Sequence, residues 1–155
     1  GSEYYKLKGF VGKTVPKVRA SQAGKIFKAV TRAVDLGLIK ACHDLSEGGL
    51  AVAAAEMALA GGYGMELDLR KAPSKAIERN DLGLFSESNS RFLLEVSEKA
   101  KEDFEALMKG KIYAPIGTTT RTPRLSVIGL NGEVVVDASL NDLMANWKRT
   151  LSSGV

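Results

Sequence analysis

The dipeptide Asn131-Gly132 lies between two apolar, β-prone runs at residues 125–130 and 133–136, and it constrains the fold more than any other feature of the chain. Both residues tolerate positive φ, and the tight turns that need it match the twist of paired strands. An antiparallel hairpin is therefore expected late in the 155-residue chain. Upstream, helical and strand patterns alternate. A hairpin within such an alternation argues against a purely parallel doubly wound sheet. It favours an α+β fold (a layered α/β arrangement), with a mixed β-sheet covered by helices.

The remaining elements follow from periodicity and breakers. Residues 1–20 read as an extended entry segment interrupted by Gly9, Gly12 and Pro16. Ser21 is placed to cap a helix with the apolar stripe Ile26, Phe27, Val30, Ala33, Val34 and Leu38, ending near Gly37. A strand over 39–43 runs into the loop Asp44-Leu45-Ser46-Glu47-Gly48-Gly49. An alanine-rich helix over 49–60 follows, stopped by Gly61-Gly62. Met65, Leu67 and Leu69 alternate with Glu66, Asp68 and Arg70, as in a half-buried strand. A short helix over 73–79, a strand over 91–96, an amphipathic helix over 98–109 and a strand over 112–117 come next. In the second of those helices Phe104, Leu107 and Met108 point inward. Ser139, three residues before Asp142, resembles a capping box opening a last helix with Leu143, Met144 and Trp147.

Composition narrows the class. Hydrophobic residues make up 45% of the chain, enough to offset the ordering of a backbone this long. The net charge of +4 is spread along the sequence and selects no partner. Lys13, Lys17 and Arg19 have few aromatics nearby for base stacking, so a solvated segment is expected there, and no nucleic acid. A single cysteine, Cys42, excludes an intrachain disulfide and fits a reducing, cytoplasmic setting. There is no cationic-then-apolar leader, and the apolar stretch over 50–60 is interrupted by Glu56 and too short for a bilayer. No membrane association is expected.

The strand–loop–helix at 41–60 is the strongest candidate for chemistry. Amides at a helix start have no intrahelical acceptor, and the helix dipole adds positive character there. Gly48 and Gly49 would let an anion approach the backbone closely. The competing reading is that Asp44 and Ser46 cap those amides locally; Glu47 also disfavours a bare phosphate. A second polar cluster, Ser86-Glu87-Ser88-Asn89-Ser90-Arg91, precedes the 91–96 strand and could recognise a sugar or phosphate, or simply form a serine-rich turn.

Other arrangements fail on geometry. Cys42 and His43 on one strand point to opposite faces and cannot act as nucleophile and base; Cys42 is expected to be a small buried filler. One histidine and one cysteine cannot furnish a zinc site. The Gly9–Thr14 stretch lacks the first glycine of a phosphate-binding P-loop, since Leu7 stands in its place. No catalytic residue and no metal ligand is assigned.

Three segments occur in order: Gly-Ser-Glu-Tyr-Tyr at 1–5, His-Asp-Leu-Ser-Glu-Gly-Gly-Leu-Ala at 43–51, and Leu-Phe-Ser-Glu-Ser-Asn-Ser-Arg-Phe at 84–92. Together they resemble the last domain of the synthetase, or large, subunit of phosphoribosylformylglycinamidine synthase. The glycine loop alone is shared with the wider superfamily of aminoimidazole ribonucleotide synthetase. The resemblance implies the fold of that superfamily's C-terminal domain. It also implies that residues 1–155 form a single domain, a fragment of a larger multi-domain subunit, in which Gly1-Ser2 is either native or a cloning remnant. Such enzymes use ATP and Mg²⁺ to activate formylglycinamide ribonucleotide, and glutamine-derived ammonia then completes formylglycinamidine ribonucleotide. Expected partners are the other domains of the subunit, a glutaminase subunit or domain, and a nucleotide or ribonucleotide ligand; the isolated domain is expected to be inactive and to bind no cofactor tightly. A Glu-Ser-Gln segment that contacts substrate in the family's first such domain corresponds to Glu87, Ser88 and Asn89, where asparagine replaces glutamine. The candidate ligand-facing surface is Asp44, Ser46, Glu47, Gly48, Gly49, Glu87, Ser88, Asn89 and Arg91. A stand-alone phosphometabolite-binding regulatory module is the alternative.

Overall fold

The computed structural model describes residues 2–74 and 77–152. The chain divides into two compact units, Gly1–Ala53 with Leu84–Tyr113, and Ala54–Gly83 with Ala114–Val155.

The first unit is built on a helix pair and a two-stranded sheet. Strand β1 (Ile39–Asp44) pairs antiparallel with β3 (Phe92–Val96), in a register that places Cys42 opposite Leu94 and Asp44 opposite Phe92. Helix α2 (Ala20–Asp35) meets α5 (Lys101–Met108) through Ala29, Ala33, Phe104 and Met108, with Ile39, Leu94 and Val96 of the strands against them. The alanines let α5 approach closely, and burying Phe104 contributes about 2–3 kcal/mol. The stripe expected on α2 is narrower than its sequence suggests. Ala23, Ala29, Val30 and Ala33 are buried, whereas Phe27 and Val34 are largely exposed.

The second unit holds the mixed sheet. Its strand order is β4-β2-β5-β6, with β4 (Gly117–Thr120), β2 (Gly64–Asp68), β5 (Arg124–Ile128) and β6 (Val134–Ser139). β2 runs parallel to β5 and antiparallel to β4, and β5 runs antiparallel to β6. The hairpin expected at Asn131-Gly132 is the β5–β6 connection. Its loop is longer than two residues: the Gly129 amide donates to the Glu133 carbonyl at 2.7 Å, the Gly132 amide to the Gly129 carbonyl at 3.0 Å, and Gly132 has φ +84°. Ser139 caps α6 (Leu140–Ser152) as expected. Its Oγ accepts from the Asp142 amide at 3.1 Å and donates to the Asp142 carboxylate at 2.6 Å.

Several boundaries depart from the sequence expectation, each for a physical reason. The entry segment contains a one-turn helix, α1 (Glu3–Leu7), capped by Ser2 Oγ on the Tyr5 amide. Helix α2 starts at Ala20 with Arg19 at the cap and no side-chain cap bond, so Ser21 lies inside the first turn. β2 ends at Asp68, not Leu69, because the Asp68 carboxylate caps a 3₁₀ turn over Leu69–Lys71. For the helix expected over 73–79, residues 75 and 76 lie outside the described set; the described residues there are not helical, and α4 spans Asn80–Phe85 instead. The helix expected over 98–109 divides into a 3₁₀ turn, Glu98–Ala100, and α5. The strand expected over 112–117 gives way to an irregular stretch containing Pro115, which has no amide to donate, and the strand forms at β4. Cys42 is exposed rather than a buried filler, since alternation along β1 turns it away from the core side that carries His43.

Candidate functional site

The pairing of β1 with β3 creates the site. In an antiparallel pair the end of one strand lies beside the start of the other, so the loop leaving Asp44 and the loop entering Phe92 must be neighbours. One further bond extends the ladder, from the Leu45 amide to the Arg91 carbonyl at 3.0 Å. Between the two loops opens a cleft of about 470 Å³. Of the candidate residues, Asp44, Ser46, Glu47, Glu87, Asn89 and Arg91 line it; Gly48, Gly49 and Ser88 are not among the lining residues. Sequence reasoning missed Phe27, Leu45 and Phe92, which also line it, as does Ser90 of the serine-rich cluster. Phe27 reads as part of the α2 core stripe, yet its ring packs edge-on to Phe92 at 5.6 Å, forming an aromatic wall.

Helix α3 (Gly49–Gly61) is entered through two consecutive positive-φ glycines, Gly48 at +75° in the preceding turn and Gly49 at +62° at the helix start. A Cβ on Gly49 would lie 2.5 Å from the Ser86 carbonyl oxygen, so that backbone approach requires glycine. The amides expected to face an anion are engaged inside the unit: the Gly48 amide donates to Glu87 Oε1 at 2.9 Å and the Gly49 amide to the Ser46 carbonyl at 3.1 Å. Glu87 thus holds the place an external anion would take. This corrects the expectation of unpaired donors at these two glycines.

The neighbouring polar groups are also arranged locally. Ser46 Oγ donates to the Asp44 carboxylate, and this bond, helped by a backbone bond at Asp44 itself, holds Asp44 below the usual carboxylate range. His43 Nδ1 lies 2.7 Å from the Asp44 carbonyl oxygen. Although Cys42 is exposed, partial desolvation by its neighbours, and secondarily Asp44, push its thiol up, away from the reactive thiolate. Arg91 folds back on its own loop, donating to the Ser88 carbonyl at 3.1 Å and to the Ser86 carbonyl. Burial pushes its guanidinium pKa down, although arginine keeps its charge in proteins. Ser90 takes a left-handed conformation, φ +65°, which lets the chain turn between Arg91 and the serines.

The cleft therefore offers three carboxylates, Asp44, Glu47 and Glu87, against one guanidinium, Arg91. Such a surface suits hydroxyl and amine donors on a ligand better than a naked phosphate. Among the described residues no three His, Cys, Asp or Glu side chains converge as a metal site. Arg91, the one cation among the described lining residues, is turned onto backbone carbonyls of its own loop, which disfavours a phosphate there. No helix among the described residues is long and apolar enough to cross a membrane.

Comparison with known proteins places this geometry in a family. Residues 1–129 match the family model of the AIR synthase related protein, C-terminal domain. The phosphoribosylformylglycinamidine synthase subunit PurL of Alkaliphilus metalliredigens is 34% identical over 152 residues, covering 97% of this chain and 20% of that protein. The PurL subunit of Thermococcus sibiricus is 38% identical over 107 residues, covering 69% of this chain and 15% of that protein. The chain thus spans a fifth or less of the length of these relatives. Among solved structures, phosphoribosylformylglycinamidine synthase II from Thermotoga maritima superposes with a TM-score of 0.73 at 19% identity, over 83% of this chain and 22% of that one. The hydrogenase maturation protein HypE of E. coli superposes with a TM-score of 0.61 at 23% identity, over 74% of this chain and 38% of that one. Those structural likenesses establish the shared α+β fold. With five-sixths of its length matched by the family model, the chain belongs to the C-terminal domain family of AIR-synthase-related proteins.

Proposed function

We propose that residues 1–155 form a single C-terminal-type domain of a PurL-type synthetase subunit, part of the cytoplasmic ligase that converts formylglycinamide ribonucleotide and glutamine-derived ammonia into formylglycinamidine ribonucleotide. The observation carrying this reading is the 34% identity to a PurL subunit sustained over 97% of the chain. Solved T. maritima relatives include PurL complexed with FGAR, PurL complexed with ATP, and a PurLQS structure, which supports a ribonucleotide substrate, ATP and further subunits for the whole enzyme. ATP and Mg²⁺ would be held chiefly by other domains of the subunit, and a glutaminase would supply ammonia. This domain's share is a carboxylate-rich cleft walled by the loops at Asp44–Gly49 and Glu87–Arg91. Within it Asp44, Glu47 and Asn89 would accept or donate hydrogen bonds to a ligand, and Arg91 would hold the second loop in shape. The alternative of a stand-alone phosphometabolite module is less favoured, because Gly48 and Gly49 already spend their amides internally.

A domain exchange tests the reading. Replacing the matching domain of T. maritima PurL with this chain should restore ligase turnover in the presence of its partner subunits. The isolated 155 residues should show no turnover of ATP with formylglycinamide ribonucleotide. A folded, assembled chimaera without activity, or a self-sufficient isolated chain, would contradict it.

A further inference from the structure

Helix α1 poses a physical problem. Five residues are too few for a helix to persist in water, and none of its residues is buried. Its order must come from outside itself. Two contacts contribute to it, one at the last residue of α4 and one just beyond that helix. The Tyr4 ring stacks on Phe85, centroids 4.9 Å apart and planes 4° from parallel. The Glu3 amide, an orphan donor at the helix start, donates to Glu87 Oε1 at 3.0 Å. The same oxygen accepts from the Gly48 amide at 2.9 Å, across 39 residues of sequence.

One carboxylate oxygen has two lone pairs, and here both are used. We propose that Glu87 is a positioning residue that clasps α1 to the glycine loop, so that the entry helix and this wall of the cleft become ordered together. Gly48 is buried and held in a left-handed conformation with its amide aimed at the carboxylate. Loosening that bond frees the loop that carries Ser46 and Glu47 into the cleft. Coupling of this kind runs both ways: docking of α1 steadies Gly48, and a ligand that steadies the loop steadies α1. The inference does not depend on which ligand the cleft takes.

Amide hydrogen exchange on the ¹⁵N-labelled 155-residue chain tests it. In Glu87→Ala, exchange at Glu3 and Gly48 should quicken together by about tenfold or more, the usual effect of losing a charge-assisted bond. The amides of Tyr5 to Leu7 should follow, while those of the β1–β3 ladder stay as in the parent. Glu87→Gln keeps an oxygen at the same reach and should retain most of the protection at both sites. Glu87→Asp keeps the charge on a shorter arm and should lose at least one of the two. Unchanged exchange in Glu87→Ala, or quickening at only one of Glu3 and Gly48, would overturn the clasp. Should Glu87→Ala fail to fold, parent-like protection at both amides in Glu87→Asp would overturn it equally.

Discussion

Leu45 donates its amide to the Arg91 carbonyl at 3.0 Å, one step beyond the last paired residues of β1 and β3. This single bond keeps two loops from distant parts of the sequence side by side, in antiparallel sense, at the point where they enter the cleft. The strands supply position and the loops supply chemistry, so rigidity at the loop roots is what any binding role would depend on.

The glycine loop offers the sharpest stability test. Gly37 and Gly49 both have positive φ, at +68° and +62°, but only Gly49 faces backbone where a Cβ would go. Gly37→Ala should cost about 1 kcal/mol, the left-handed penalty alone. Gly49→Ala should cost about 3 kcal/mol or more, because the Ser86 and Leu84 carbonyl oxygens would lie 2.5 and 2.8 Å from the new carbon and are fixed in the main chain. Urea denaturation of the two variants measures the difference; equal losses would mean that the loop opens freely.

The cap at α6 makes a second prediction. Ser139→Ala removes the acceptor for the Asp142 amide and should cost about 1 kcal/mol, while Ser139→Asp should recover most of it. Thermal unfolding by circular dichroism reads both.

How far residues alone reveal this molecule depends on how local each decision is. Asn131-Gly132 and the Ser139–Asp142 cap act within a few residues, and both were legible. Ser2 and Glu3 carried a comparable local signal for α1, but a single turn is too brief to show periodicity, and the surrounding glycines suggested an irregular segment. Thr118 to Thr120 are β-branched and mark β4, yet the apolar residues just before them carry the more conspicuous strand pattern. The site divides the same way. Both of its polar segments could be nominated from composition, but their convergence depends on Asp44 facing Phe92, and the capture of the Gly48 amide depends on Glu87, 39 residues away. No short-range pattern encodes those partners.

Acid titration addresses the second unit. Asp68 is buried and accepts two bonds from the Arg70 side chain, at 2.9 and 2.8 Å, and one from its amide. The Arg70 side chain chiefly, against the opposing effect of burial, lowers Asp68 from an ordinary value of 3.8 to about 2. A carboxylate whose pKa is depressed by folding contributes stability that is fully present above its unfolded value and is lost as the pH falls through its folded one. Stability should therefore decline between 3.8 and about 2 on account of this pair. Asp68→Asn should be less stable at neutral pH and show a shallower decline across that window. A parallel pH profile for parent and variant would remove Asp68 from the acid response.

Ser90 gives the most local test of the cleft. It is the one non-glycine with positive φ among the described residues, at +65°, and it sits between Asn89 and Arg91 in the lining. A left-handed serine costs about 1–2 kcal/mol, and a glycine there would avoid that at an entropic cost of about 0.5–1 kcal/mol. Ser90→Gly should therefore be neutral or stabilise by about 0.5 kcal/mol, whereas Ser90→Val, branched at Cβ, should destabilise by about 2 kcal/mol. The Arg91 bonds to Ser86 and Ser88 form only if the chain turns at this residue, so the valine variant should also loosen Arg91. Urea midpoints at constant slope give the energies, and the ¹⁵Nε signal of Arg91 reports the guanidinium. A valine variant as stable as the parent, with Arg91 unchanged, would show that the turn accepts another backbone route and that the shape of the cleft does not depend on Ser90.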